Sequence, residues 1–322
     1  MKCKICRSPN NVSFRSDYKF EIDTDKKYFG DLKIYTCKSC DLSFADPLPK
    51  EDELNFFYEN IYRSLNRPPY WLNEFSKDLE TKYLDDRQLN YLLYITTLVD
   101  FKKIESIYDF GAGNGDLGFL LKHKFKNLEL YCTEHDKHCS SILKKRGYTN
   151  FKDINDINKK FDLIVTIHTL EHLTDLEIFN TFHNLLNKNG LVFFEVPNCE
   201  ERYFEGRPYD GPHLLFYTKK SIEKICNQYS FEIIKFDYSS YSFQEDHKYQ
   251  RHSQNLYKKI SSGDIYENVK RKIRKFLPYK IYEIRQFFNL ALSLKNQHRV
   301  NMFSNNVGNN CYIRGILKKK NI

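Results

Sequence analysis

The chain has 322 residues, 41% hydrophobic and 16% aromatic, enough apolar material for one large α/β core with accessory segments, which excludes a disordered or fibrous class. No stretch approaches the roughly 18 uninterrupted apolar residues of a membrane span. The net charge of +9 is concentrated late: residues 256–300 carry 11 Lys or Arg against 3 acidic residues and residues 301–322 carry 4 and none, which leaves −3 for residues 1–255.

A nucleic-acid footprint should cover the working face, so this distribution argues against nucleic acid as the partner. Residues 1–9 hold cysteines and lysines where a secreted chain would hold an apolar signal core, and a cytoplasmic protein is expected. Nine cysteines scattered through a chain of this length do not form the dense, even framework of a small secreted domain. Four of them fall into two C-x-x-C knuckles, Cys3/Cys6 and Cys37/Cys40. Each two-residue spacer lets the backbone curl so that both sulfurs face one ion, and four thiolates close a tetrahedral structural Zn2+ site with no open position. Residues 1–48 therefore read as a zinc-binding module.

Residues 49–100 follow as a helical linker or cap. An acidic helix start at 51–54 runs through Phe56, Phe57 and Tyr58, and a second segment over 70–98 has apolar residues at largely helical spacing. From Ile104 short apolar runs alternate with amphipathic segments, the pattern of a doubly wound, mostly parallel sheet with helices on both faces. Strands are expected at 106–110, 128–133, 148–152, 162–167, 191–196 and 231–236, with a last antiparallel strand at 311–317, giving seven. Helices are expected at 175–186, stopped by Lys188-Asn189-Gly190, and at 217–229, with Thr218 as N-cap. The main domain then comprises 101–242 and 308–322, interrupted by a basic helical insertion at 243–307.

The segment Asp109-Phe110-Gly111-Ala112-Gly113-Asn114-Gly115-Asp116 runs from a strand through a glycine turn into a helix. Glycines there let the backbone turn tightly and approach a ligand. Counted from Gly111, the sixth position of a dinucleotide fingerprint is Asp116, where a dehydrogenase needs a small residue. Asp109 at the strand end would repel a pyrophosphate and attract an ammonium group. Glu134, after the second strand, can accept hydrogen bonds from ribose hydroxyls, and Asp153, after the third, can reach an adenine amino group.

The ordered series Cys3-x-x-Cys6, Cys37-x-x-Cys40-Asp-Leu-Ser-Phe44, the glycine turn, Leu170-Glu171-His172, Glu195-Val-Pro-Asn198 and His213-Leu-Leu-Phe216-Tyr-Thr218 resembles class I methyltransferases with an N-terminal zinc-binding segment, including those acting on sugars and natural products. The resemblance implies methyl transfer from S-adenosyl-L-methionine, with His168 beside the cofactor residues. The acceptor it implies is a small molecule or a sugar nucleotide, as in O-methylation of a nucleotide sugar or surface-glycan component. In similar sugar C-methyltransferases a histidine in the stretch holding His213 acts as base, although Gly211-Pro212 lengthens that stretch here. Tyr209 and His172 are the other catalytic candidates. Related quinone-forming O-methyltransferases take a divalent ion on acids and a histidine in the stretch after the fourth strand, but His168 stands here in the first acid's place, so the stretch reads first as pocket wall. The competing readings are a keto-sugar nucleotide C-methyltransferase, a zinc-ribbon nucleic-acid binder or RNA methyltransferase, and an inactive scaffold. The basic insertion reads as a solvated helical accessory, with peripheral membrane contact as its minority alternative.

Overall fold

The computed structural model describes residues 2–19, 23–62, 86–206, 210–239 and 312–321. The N-terminal unit holds β1 (Val12–Asp17), α1 (Asp23–Phe29), β2 (Lys33–Cys37) and β3 (Ser43–Asp46). Helix α2 (Glu51–Phe56) opens on Glu51, Asp52 and Glu53, acids that suit the positive end of the helix dipole, and continues as a wider π turn over Phe57–Ile61. Helix α3 (Asp86–Leu98) is the described part of the segment expected at 70–98. The basic insertion, Arg207, Tyr209 and Cys311 lie outside the described residues.

The main sheet begins with β4 (Ser106–Phe110), α4 (Asp116–Lys124), β5 (Glu129–Thr133), α5 (Lys137–Lys145), β6 (Tyr148–Phe151) and β7 (Phe161–Ile167). A single 3₁₀ turn at Leu170–His172 leads to α6 (Ile178–Leu185), β8 (Leu186–Pro197) and α7 (Glu201–Gly206). Then come β9 (Leu215–Phe216), α8 (Lys219–Gln228), β10 (Phe231–Ser239) and β11 (Tyr312–Lys319). Seven strands form one sheet in the order β10-β11-β8-β7-β4-β5-β6. The pairs β4–β5, β4–β7, β5–β6 and β7–β8 are parallel, whereas β11 runs antiparallel to both of its neighbours. This is the α/β doubly wound, seven-stranded architecture that the alternating pattern implied.

Successive side chains along a strand point to opposite faces, and the core follows that rule. Tyr108, Ile164, Phe194 and Ile313 pack on one face with α6 and α8, while Ile107, Leu163, Val165, Phe193 and Ile316 pack on the other with α3, α4 and α5. Residues 188–190 do not stop a helix as expected. Helix α6 ends at Leu185, and Asn187–Gly190 form an irregularity inside β8, between the Phe161↔Leu186 and Leu163↔Leu191 partners. Asn189 takes φ 66° there, so the turn-prone triplet serves a strand kink. Helix α8 starts as expected: Thr218 accepts from the Ser221 N–H, and Ser221 returns the bond to the Thr218 N–H.

A second sheet, β1-β2-β3-β9, ties the N-terminal unit to the main domain. Strand β9 pairs with β3 through Ser43↔Phe216 and Phe44↔Leu215. Its side chain Phe216 enters a core with N-terminal residues such as Phe29, Ile34 and Phe57, joined there by Cys199 and Leu214. Residues expected in the methyltransferase domain thus complete the sheet of the zinc-module segment.

On the central strands, Glu195 and Arg314 are each only 1% exposed and pair at 2.6 Å across the β8–β11 register. Removing one partner of such a pair leaves an uncompensated buried charge, at a cost of about 3–5 kcal/mol. Arg314→Leu is therefore expected to lower the unfolding free energy measured in urea by that amount, with a correspondingly lower midpoint, and an unchanged midpoint would show that Glu195 needs no cation from β11.

Candidate active site

Ligands of a doubly wound sheet sit outside the carboxyl ends of its strands, and the expected residues gather there. Strand β4 ends at Phe110, and the chain then turns through Gly111, Gly113 and Gly115 at φ 71°, 56° and 68°. A β-carbon at Gly111 would stand 2.4 Å from Thr169 Oγ1, and one at Gly115 would stand 2.6 Å from both Leu143 and Tyr148, so this floor is closed to side chains.

Asp109 is buried beside this turn, and Tyr148 reaches its Oδ2 at 3.3 Å. Burial pushes the Asp109 carboxyl up to about 7; the Tyr148 hydrogen bond opposes the rise, while nearby Glu134 and Asp116 add to it. A buried carboxyl in this condition favours a cationic neighbour. Across the turn, Glu134 accepts the Gly113 N–H at 2.7 Å and the Asp136 N–H at 2.9 Å, which aims it at the glycine backbone. Asp153 is exposed at the end of β6 and accepts the Asn155 N–H, closing a short 3₁₀ turn. Arg146 holds the Asn114 carbonyl and the Asp116 carboxylate, fixing the turn from α5. Glu134 thus meets the glycine backbone and Asp109 lies buried at the strand end that leads into it; two carboxylates around a side-chain-free turn fit the ammonium and ribose groups of S-adenosylmethionine.

The loops after β7 and before β9 bring a second set of expected residues together. Glu171, His172 and His213 bring a carboxylate oxygen and two imidazole nitrogens within 4.8 Å of one another. The His172 and His213 rings meet edge to face at 5.1 Å. Tyr58, from the π turn, lies 3.2 Å from His172 Nδ1, and Tyr203, from α7, lies 3.2 Å from His213 Nδ1. The Tyr18 hydroxyl donates to the His213 carbonyl, and Asp210 exchanges hydrogen bonds with the Lys19 backbone. His213 is thus oriented from both units of the chain. Among these contacts, Tyr58 and Tyr18 carried no sequence signal, because nothing in a local pattern shows which aromatic residue of a helix meets a loop some 114 residues later.

Glu171 is 1% exposed. Burial alone would raise its carboxyl, but the hydrogen bond with His168 and the fields of His168, His172 and His213 hold it at about 2. His168, expected beside the cofactor, turns its ring to the protein's own carboxylates: Nδ1 lies 3.1 Å from Glu171 and Nε2 lies 3.2 Å from Glu195.

The four knuckle sulfurs, Cys3, Cys6, Cys37 and Cys40, lie within 4.8 Å of one another, with Cys3 and Cys40 at 3.5 Å. A tetrahedral ion with sulfur ligands at about 2.3 Å separates its sulfurs by about 3.8 Å. The Ile5 and Cys6 N–H groups point at the Cys3 sulfur, as suits a thiolate. Sharing a proton with Cys40 pulls the Cys3 thiol down and pushes that of Cys40 up. The donor set and spacing fit a metal.

Residues 81–235 match the family described as a methyltransferase domain. No curated protein matches the chain. Among solved structures, the chain is similar to a SAM-dependent methyltransferase, possible histamine N-methyltransferase, from Thermotoga maritima, at 13% identity and a TM-score of 0.46 over 78% of this chain and 98% of that one. It is similar to coclaurine N-methyltransferase bound to N-methylheliamine and SAH, at 15% identity and a TM-score of 0.46 over 74% of each chain. It is also similar to the O-methyltransferase of a trans-AT PKS multienzyme of Brevibacillus brevis, at 15% identity and a TM-score of 0.43 over 81% of this chain and 82% of that one. The family match over 81–235 includes the glycine turn at the end of β4, so this stretch of the chain carries a methyltransferase domain.

Proposed function

We propose that the protein methylates a hydroxyl group of a small sugar-type acceptor, a nucleotide sugar or a surface-glycan component, with His213 as general base. The observation that carries this reading is the meeting of His213 and His172 with the ionised Glu171 at the sheet end where an acceptor would lie. Tyrosine hydroxyls from both units line the same place, which suits a polyhydroxylated molecule. Tyr209, close in sequence, is a further candidate for this wall. S-adenosylmethionine, when bound, supplies a methyl group on a sulfonium centre.

The chain's residues contribute binding, orientation and proton transfer. Gly111, Gly113 and Gly115 admit the cofactor, Asp109 receives its ammonium group, Glu134 its ribose and Asp153 its adenine. His213, oriented at Nδ1 by Tyr203, takes the acceptor's proton as the oxygen commits to the methyl carbon. Ionised Glu171 stabilises the imidazolium so formed. General-base help of this kind contributes roughly 10²- to 10⁴-fold. A keto-sugar acceptor would use the same histidine to form an enolate and would give a C-methyl product. The knuckle cysteines hold a structural zinc ion, and because the Cys37–Cys40 knuckle leads directly into β3, its order reaches β9 and His213. No helix among the described residues is long and apolar enough to cross a membrane.

His213→Ala should leave affinity for S-adenosylhomocysteine intact and lower turnover about 10²- to 10⁴-fold. Methyl-labelled donor offered with a panel of nucleotide sugars, glycans and small phenols, read by mass spectrometry, measures this and distinguishes O- from C-methylation; full turnover in the variant removes His213 from the mechanism. Asp109 is protonated below about 7 in the free protein and must ionise to receive a cation. Cofactor affinity should therefore rise on the order of tenfold from pH 5.5 to 7.5, with proton uptake by buffer during binding. Calorimetry in buffers of different ionisation enthalpy tests this, and a flat profile would place the cationic group elsewhere. One zinc per chain is expected by elemental analysis, lost in Cys37→Ser; a zinc-free native protein excludes the metal site.

A further inference from the structure

His168 opens the turn after β7 with φ 52°, a left-handed conformation that a histidine keeps when its surroundings fix it. Its backbone N–H donates to the Glu195 carbonyl at 2.9 Å. Its ring stands between two carboxylates that are each 1% exposed, with Nδ1 3.1 Å from Glu171 Oε1 and Nε2 3.2 Å from Glu195 Oε1. The first contact is a hydrogen bond, and the second is an ion-pair distance without hydrogen-bond alignment.

An ionised carboxylate only accepts hydrogen bonds, whereas a neutral imidazole has one N–H and one lone pair. In its neutral form the ring would turn a lone pair toward one of the two anions, a repulsive contact in a place water does not reach. The doubly protonated ring donates to Glu171 and faces Glu195 as a cation, with no lone pair toward either. Charge counting agrees. Glu195 is met by Arg314, the Tyr91 hydroxyl and the Ser239 hydroxyl. Among the described residues no Lys or Arg lies within ion-pair distance of Glu171, whose neighbouring cationic groups are histidines. Tyr312 completes the surroundings, edge-on to the His168 ring at 4.9 Å.

The Glu171 Oε1 atom is thus occupied by His168, its Oε2 is buried without a hydrogen-bond partner, and one of its carboxylate oxygens lies within 4.8 Å of ring nitrogens of His172 and His213. We propose that His168 is a standing imidazolium and that it is the positioning residue which keeps Glu171 ionised and fixed against His172 and His213. The positioning role rests on the acceptor-side reading of His213 given above; the charge state of His168 does not.

Long-range ¹H–¹⁵N spectra of the full-length, zinc-loaded protein labelled at histidine decide the charge state. From pH 6 to 8.5 one of the ten imidazoles should show both nitrogens protonated, with contacts to the Tyr312 ring protons. That signal should vanish in His168→Asn, since asparagine tolerates the left-handed backbone. A His168 ring that is a neutral tautomer at pH 7.5, or that titrates near the ordinary value of about 6.5, overturns the proposal. Carboxyl ¹³C spectra decide the positioning role. In His168→Asn the Glu171 titration should move up by at least two pH units, about a hundredfold in its protonation constant, and His168→Lys should bring it back. An unmoved Glu171 overturns that half even where His168 is charged. Should His168→Asn not fold, the wild-type ¹⁵N spectrum, assigned through Tyr312, still decides the charge state. Full turnover in His213→Ala would remove the acceptor-side reading and with it the positioning role, and leave the charge state of His168 standing.

Discussion

Three carboxylates are buried at or just beyond the carboxyl ends of neighbouring central strands: Asp109 on β4, Glu171 after β7 and Glu195 on β8. An ion in so dry a place must shed its charge or acquire a partner. The three meet this constraint differently. Among the described residues no Lys or Arg pairs with Asp109, and burial drives it toward its protonated form. Glu195 takes Arg314 from the antiparallel strand and hydroxyls from Tyr91 and Ser239. Glu171 is held in its charged form against burial by the hydrogen bond with His168 and the fields of His172 and His213. How each charge is met follows from which partner each anion has.

This constraint also explains why β11 must return between β8 and β10. Its antiparallel register sets Arg314 opposite Glu195, and the guanidinium lies 5.3 Å from the Tyr91 ring centre and 5.2 Å from that of Tyr94. A cation there is sheltered by aromatic faces. The helix before the sheet and the last strand of the chain are thereby joined around one charge, and Tyr94 extends the cluster by donating to Asp237 on β10.

Much of this was legible in the sequence because it is periodic or local. The strand cores from Ser106 to Ile167 follow apolar runs, the Thr218 cap follows from one residue before an amphipathic turn, and the glycines announce a backbone that side chains would block. The triplet Lys188-Asn189-Gly190 misled because the same residue types serve helix stops and strand irregularities. His168 was placed beside the cofactor by motif position, whereas its ring direction is set by Glu195, 27 residues later on a neighbouring strand. Tyr58 and Tyr18 entered the site only through three-dimensional folding of the N-terminal unit over the loop at 210–213.

The two residues of β9 have a consequence for how such a chain can vary. Their alternation sends Phe216 into the N-terminal core and Leu215 into the main one. One inserted or deleted residue between Asp210 and Thr218 would exchange those faces, turning each side chain toward the wrong interior. The loop that carries His213 is therefore locked in length from both ends. Descendants of this chain that adapt to new acceptors would be driven to exchange side chains around a fixed backbone, leaving longer excursions to segments that neither sheet holds.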